Sequence, residues 1–252
     1  MKKGGRHDPA SHPRVKVCGL TLADEAIACA ELGADAIGLV FYPPSPRLVS
    51  RYRAREISWS LPEKVWKVGV FVDAPLSEMM EIARFCGLNC IQLHGTEAPE
   101  MVEALESADI RVIKTLFVRK RPFLSEALSY RPTAYLIESG GGNVPGGAGL
   151  SWKWSDAREL AERVPCILAG GLSPENVGEA IHEAGPAAVD VSSGVESEPG
   201  RKDIDKVRAF INAVRREGAE GIFLAAAEGS GEPGRRSHRQ QEFPLTGSWR
   251  IF

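Results

Sequence analysis

The segment Val15-Lys16-Val17-Cys18-Gly19-Leu20-Thr21 decides the fold class, because the first predicted strand ends within it. In an open doubly wound α/β sheet, the first turn usually carries a glycine-rich loop for a mononucleotide or dinucleotide. Cys18-Gly19-Leu20-Thr21 is not such a loop. The first strand instead ends in a thiol.

Seven more short apolar runs follow, and each is typical of a strand buried on both faces of a parallel sheet. Amphipathic stretches separate them. We predict strands over 15–18, 36–41, 67–72, 90–94, 110–117, 134–138, 165–169 and 187–192, and helices over 22–32, 50–60, 75–85, 98–106, 122–128, 155–163, 174–183 and 202–216. This strict alternation predicts the α/β class and a single (β/α)8 TIM barrel. An open doubly wound sheet, which usually needs fewer strands, is the alternative.

Both ends of the chain differ from this pattern. Residues 1–13 have few apolar side chains, and residues 218–252 are largely rich in Gly, Ser, Arg and Gln. We interpret 1–13 as a disordered N-terminal extension, 14–217 as the barrel and 218–252 as a low-complexity C-terminal tail. The apolar patch 222–227 is either a weakly helical extension or an interaction segment.

The composition excludes several function classes. The net charge of −2 provides no general basic field, so we expect no nucleic-acid partner. No apolar run is long enough to cross a bilayer, so we expect no membrane partner. Five irregularly spaced cysteines fit a reducing cytoplasm better than a disulfide framework. His94 has no companion at metal-ligand spacing, so we predict no metal site.

In a (β/α)8 barrel, the active site lies at the C-terminal ends of the strands. Twelve residues fall at or just after predicted strand ends and should converge there. They are Cys18, Phe41, Asp73, Gln92, His94, Lys114, Glu138, Gly170, Gly171, Ser192, Ser193 and Gly194.

Cys18 is the candidate general base. Only a thiolate is basic, and an ordinary thiol has a pKa of about 8.5. Lys16 shares a strand face with Cys18, so an inward-facing ammonium there would favour the thiolate. Strand eight closes against strand one, and we therefore predict that Asp190 pairs with Lys16. A packed core cysteine is the alternative.

Glu138 is the candidate acid, because it closes an apolar strand. It is either a solvated strand end or a desolvated carboxyl with a raised pKa. The glycine-rich segment after it, with Gly147 and Gly149, is either a ligand-contacting loop or a flexible lid.

Two glycine-bearing turns follow strands seven and eight. In barrels, these loops often offer backbone N–H groups to a phosphate. We therefore expect a phosphate site at the two turns; ordinary turn chemistry is the alternative.

Arg47 follows strand two on a proline-stiffened loop. It is either a solvated surface arginine or a guanidinium that binds a carboxylate through two parallel bonds. Gln92 and His94 share one strand face, and His94 is either a structural histidine or a site residue.

In their full order, these motifs resemble the phosphoribosylanthranilate isomerase family of tryptophan biosynthesis. The similarity extends from about residue 15 to residue 216. The matching runs include Lys16-Val17-Cys18-Gly19-Leu20-Thr21, Gly33-Ala34-Asp35-Ala36-Ile37-Gly38 through Ser45-Pro46-Arg47, Val68-Gly69-Val70-Phe71, Ile91-Gln92-Leu93-His94-Gly95, Gly146-Gly147-Ala148-Gly149, Ala169-Gly170-Gly171-Leu172-Ser173-Pro174-Glu175-Asn176-Val177 and Val189-Asp190-Val191-Ser192-Ser193-Gly194-Val195-Glu196.

The resemblance implies a cofactor-free Amadori rearrangement of N-(5-phosphoribosyl)anthranilate, with Cys18 as base and Glu138 at the acid position. It implies that Arg47 contacts the anthranilate part, and we expect Gln92, His94 and Asp190 to contact substrate as well. The expected phosphate-binding residues are Gly147, Gly149, Gly170, Gly171, Ser192, Ser193 and Gly194.

Glu138 departs from this family, which normally has aspartate at the acid position. An extra methylene moves the carboxyl by roughly 1 Å, and such shifts can cost about 10²-fold in rate. The alternatives are a histidine-pathway sugar isomerase, an indoleglycerol-phosphate synthase and a catalytically silent barrel that only binds a phosphorylated ligand. We expect a monomer or a homodimer.

Overall fold

The computed structural model describes residues 12–141 and 152–228, and over 218–228 only the backbone. Eight parallel strands form a closed barrel in chain order, and the last strand pairs with the first. They are β1 Arg14–Cys18, β2 Ala36–Val40, β3 Trp66–Phe71, β4 Cys90–Leu93, β5 Arg111–Phe117, β6 Ala134–Glu138, β7 Cys166–Leu168 and β8 Ala188–Val191. The predicted closed barrel is confirmed, and the open sheet is excluded.

Helices cover the outside of the barrel. Local signals set their ends: the Ser50 side chain accepts the N–H of Arg53 at the start of the second helix, and Gly33 ends the first in the left-handed conformation. They are α1 Ala23–Leu32, α2 Arg51–Ser60, α3 Leu76–Cys86, α4 Pro99–Glu106, α5 Arg158–Ala161, α6 Val177–Ala184 and α7 Ile204–Glu228.

Three predicted helices differ from the structure. The predicted helix 122–128 is a 3-10 segment, Leu124–Ser129, in which Leu128 is 76% exposed, so the segment lacks a continuous apolar stripe. The predicted helix 155–163 divides into a 3-10 turn, Trp154–Ala157, and the short α5. The predicted helix 174–183 begins only at Val177.

That late start of α6 has a local cause. The side chain of Asn176 accepts the N–H of Ser173 and donates to the carbonyl of Gly171. These bonds hold 173–176 as a turn that joins the loop after β7 to the helix.

Side chains on each strand alternate between two cores. One apolar cluster lies between the strands and the helices and includes Val15 and Val17 of β1. A second fills the barrel interior and includes Val68, Ile113 and Leu136. Polar side chains stand above this interior cluster, at the C-terminal ends of the strands.

A small antiparallel hairpin follows the barrel, formed by β9 Glu196–Glu198 and β10 Arg201–Lys202. The backbone of α7 then continues to Glu228, past the boundary predicted at residue 217. Residues 1–11 and 229–252 of the two predicted extensions lie outside the described residues. Among the described helices, none combines the length and apolar character needed to cross a membrane.

Candidate active site

The C-terminal ends of the strands surround an open cup of about 710 Å³. Most of the predicted site residues line it, although they come from six different strands or their loops. The lining residues among them are Cys18, Arg47, Gln92, His94, Glu138, Gly170, Gly171, Asp190, Ser192 and Ser193.

Three residues predicted at the mouth do not line the cup, namely Phe41, Asp73 and Lys114. Strand alternation explains the error. On β5 the interior position is taken by Thr115, so Lys114 faces the other way and pairs with Glu97 at 2.6 Å. Phe41 stacks on Phe71 outside the barrel, and Asp73 accepts a bond from the N–H of Thr96.

Gly194 also does not line the cup. It is the point at which the loop after β8 touches the loop after β7, because the carbonyl oxygen of Leu172 lies 1.9 Å from where a Cβ of residue 194 would stand. Gly147 and Gly149 lie outside the described residues.

Cys18 ends β1 and is buried at 9% exposure. Gly38 on the neighbouring strand makes room for it, since a Cβ at position 38 would lie 2.6 Å from the Cys18 Sγ. Burial raises the pKa of Cys18, and the nearby ammonium of Lys16 opposes this rise without cancelling it. Lys16 thus acts in the expected direction, but Cys18 rests as a thiol at neutral pH.

Lys16 and Asp190 form a buried ion pair, with 2.9 Å between Nζ and Oδ1. The predicted pairing is confirmed. Burial would lower the pKa of Lys16, but the carboxylate of Asp190 and the thiol of Cys18 raise it, so the ammonium persists. The ammonium of Lys16 therefore pairs with Asp190 and also limits the rise in the pKa of Cys18.

Glu138 ends β6 and is also buried, so it is not a solvated strand end. Its Oε2 lies 3.2 Å from Nε2 of His94. Burial would raise the pKa of Glu138, but the contact with His94 and the positive charges of Lys120 and Lys16 hold it below its ordinary value. The alternative of a raised pKa is therefore also wrong for the unliganded protein: Glu138 rests as a carboxylate.

The longer side chain of Glu138 is accommodated at a glycine. A Cβ at position 170 would lie 3.0 Å from Cγ of Glu138, which is the extra methylene relative to aspartate. Gly170 has a φ of 86° and Gly171 a φ of 72°, a left-handed pair that glycine adopts without strain. The loop after β7 is thus shaped to lie directly against the acid candidate.

Arg47 is buried rather than solvated. Its Nε and Nη2 donate two parallel bonds to the carboxylate of Glu196, at 2.8 and 2.7 Å. Lys202 donates to the same carboxylate at 2.6 Å and to the carbonyl of Ser192 at 3.1 Å. The β9–β10 hairpin therefore fixes Arg47 at the rim of the cup, an arrangement that the sequence reasoning did not anticipate.

The wall of the cup beside Cys18 is apolar. Val40 and Val70 pack against Cys18, and Tyr42 packs onto this small cluster. All four side chains line the cup. Such a wall beside a guanidinium suits a flat aromatic group that carries a carboxylate.

The cysteines and acidic side chains form no further candidate site. All five cysteines are free and buried. Within 12–141 and 152–228, no group of three or more His, Cys, Asp or Glu residues has the geometry to hold a metal ion.

Comparison with known proteins decides the family. Residues 15–213 match the family described as N-(5'phosphoribosyl)anthranilate (PRA) isomerase. The chain belongs to this family. It is 49% identical over 207 residues to the N-(5'-phosphoribosyl)anthranilate isomerase of Desulfatibacillum aliphaticivorans, covering 82% of this chain and 95% of that relative. It is therefore an isomerase of tryptophan biosynthesis.

Solved structures of phosphoribosylanthranilate isomerases have the same fold. The enzyme from Thermotoga maritima is 40% identical, with a TM-score of 0.75 and coverage of 81% of this chain and 99% of that one. A phosphoribosylanthranilate isomerase in complex with reduced 1-(o-carboxyphenylamino)-1-deoxyribulose 5-phosphate is also 40% identical, with a TM-score of 0.73 and the same coverage.

Proposed function

We propose that this isomerase converts N-(5-phosphoribosyl)anthranilate to 1-(2-carboxyphenylamino)-1-deoxyribulose 5-phosphate, with Glu138 as the acid and Cys18 as the base. The observation that carries the proposal is that both side chains line one cup, although β1 and β6 stand three strands apart around the barrel. A substrate between them would meet one group on each side.

The first step is ring opening. Glu138, as a carboxylic acid, gives its proton to the furanose ring oxygen, and the C1′–O bond breaks as the anthranilate nitrogen lone pair forms a C1′=N bond. The Cys18 thiolate then removes the C2′ proton. The C2′–H electrons form a C1′=C2′ bond and the C=N pair returns to nitrogen, giving an enolamine that tautomerises to the ketone.

In the unliganded enzyme, Cys18 is a protonated thiol and Glu138 is a deprotonated carboxylate, which is the reverse of the arrangement that the mechanism needs. The active pair, thiolate and carboxylic acid, has the same total number of protons. A bound substrate carries an anionic phosphate and a carboxylate, and like charges favour the neutral form of Glu138. Substrate binding would therefore favour the acid form where the first step needs it.

The remaining lining residues supply binding. We assign the phosphate to the loops at Gly170, Gly171, Ser192 and Ser193, whose glycines allow close backbone approach. Arg47 would hold the anthranilate carboxylate against the Val40 and Val70 wall. Fixing both ends of the substrate places the sugar between acid and base.

We also assign Asp190 and the Gln92–His94 pair to the substrate cup. Lys16 holds Oδ1 of Asp190, so the other carboxylate oxygen can accept a hydrogen bond from a sugar hydroxyl. Gly147 and Gly149 remain in the proposed phosphate set, as does Gly194, which belongs to the loop after β8. Free cysteines support a cytoplasmic location.

The proposed partners are the phosphorylated substrate and, if the enzyme is a homodimer, a second copy of this chain. The other proposed oligomeric state is a monomer.

A fluorescence assay that follows the conversion of N-(5-phosphoribosyl)anthranilate tests the proposal. Cys18→Ala and Glu138→Ala should each abolish turnover while an inhibitor that carries phosphate still binds. The matched control is Cys29→Ala, a buried cysteine on α1 away from the cup, which should keep wild-type kcat. Substantial turnover by either active-site variant would reject that residue's role, and phosphate binding without turnover by the wild type would favour a silent barrel.

A further inference from the structure

A proton donor must be held in place both before and after it gives up its proton. Glu138 touches one side chain that can do this, because Nε2 of His94 lies 3.2 Å from its carboxyl oxygen. A neutral imidazole carries one N–H and one lone pair, and the tautomer decides which nitrogen carries which. The bond to Glu138 therefore depends on what His94 meets at its other nitrogen.

At that other nitrogen, Nδ1, His94 meets two groups that can each donate or accept. The side-chain amide of Gln92 lies at 2.9 Å and the hydroxyl of Thr115 at 3.1 Å. All three side chains are buried, and they project into the barrel from β4, its end and β5.

A neutral His94 allows two hydrogen-bond patterns in this cluster. In the first, Gln92 and Thr115 donate to Nδ1, and Nε2, which forms no hydrogen bond of full geometry among the described residues, carries a proton that the Glu138 carboxylate 3.2 Å away can accept. In the second, the Gln92 amide is rotated so that its oxygen and the Thr115 hydroxyl accept from Nδ1–H, and the Glu138 carboxylic acid donates to Nε2. Rotation of the Gln92 amide exchanges its N–H···Nδ1 bond for an Nδ1–H···O bond, and the Gln92 oxygen gives up no bond because it has no partner among the described residues in the first pattern.

We propose that Gln92 and Thr115 are positioning residues that act through His94, allowing it to hold Glu138 by a hydrogen bond as a carboxylate and as a carboxylic acid. The inference rests on the proposed role of Glu138. It assigns Thr115, which does not line the cup, a part in the reaction. The other charged groups that act on Glu138 or are acted on by it are Lys120, Lys16 and Asp190.

A pair of variants tests the role of Thr115. Thr115→Val keeps the shape but removes the hydroxyl, so kcat should fall about tenfold, equivalent to ~1.4 kcal/mol. KM should stay within about twofold, because the residue is outside the cup. Thr115→Ser restores the hydroxyl and should restore kcat to within about twofold of wild type. A wild-type kcat for Thr115→Val, or a change confined to KM, would overturn the inference.

The tautomer of His94 gives a readout that does not depend on turnover. With ¹⁵N-labelled histidine, assigned by a His94→Asn variant, the free enzyme at pH 7.5 should show a pyrrole-like Nε2 and a pyridine-like Nδ1. Saturation with reduced 1-(o-carboxyphenylamino)-1-deoxyribulose 5-phosphate should reverse the two. The same tautomer in both states would overturn the inference, whereas turnover by Glu138→Ala would instead reject the proposed acid.

Discussion

Replacing Glu138 with aspartate removes the methylene that now lies against Gly170. The carboxyl would retreat toward the backbone of β6 by about 1.5 Å, the length of one C–C bond. Its oxygen is already 3.2 Å from Nε2 of His94, at the limit of a hydrogen bond. The shortened side chain would therefore lose His94 and stand farther from the sugar.

We expect Glu138→Asp to lower kcat by about 10²-fold, because a displacement of about 1 Å at a reacting group costs roughly that much. KM should change little, since Arg47 and the phosphate loops are untouched. Stopped-flow fluorescence of anthranilate under single-turnover conditions separates chemistry from product release. Glu63→Asp, the same change at an exposed glutamate, should leave the rate unchanged. A rate equal to or above wild type for Glu138→Asp would refute this geometry.

Three more predictions follow from the same side chains. Because the pKa of Glu138 is lowered and that of Cys18 raised in the unliganded enzyme, kcat/KM should be flat from about pH 5 to pH 8. It should fall at lower pH as both groups become protonated and at higher pH as both lose their proton, and a fall within that window contradicts this. Gly38→Ala should lower kcat about 10²-fold by displacing the Cys18 sulfur. Overpacking at this buried contact should also lower the melting temperature, and a wild-type kcat would contradict the prediction. Lys16→Met should cost roughly 3–5 kcal/mol in urea unfolding at pH 7, because it leaves Asp190 buried without its partner; a loss below about 1 kcal/mol would contradict that.

Strand alternation made most of the barrel and the Lys16–Asp190 pair predictable. Each apolar run is short and ends in polar or glycine residues, so the ends of the runs predicted the ends of the strands to within one or two residues. Closure of the barrel then placed strand eight beside strand one. The same alternation, applied to β5, would have selected Thr115 over Lys114.

Other parts of the site depend on contacts that no local pattern contains. Glu196 lies 149 positions from Arg47 along the chain, and only the folded hairpin brings them together. The protonation states of Cys18 and Glu138 could not be predicted either, because each depends on how burial balances against a specific cation. At Cys18, burial has the larger effect and the pKa is raised. At Glu138, His94 and the nearby lysines have the larger effect and the pKa is lowered.

The most direct test of the acid–base assignment is a crystal structure of this enzyme with reduced 1-(o-carboxyphenylamino)-1-deoxyribulose 5-phosphate. The account predicts that the Cys18 Sγ lies within about 3.5 Å of C2′, and a Glu138 carboxyl oxygen within about 3.2 Å of the former ring oxygen. The two groups should approach the sugar from opposite sides. A complex in which either group is separated from the sugar by another side chain, or in which both lie on one side, would contradict the account.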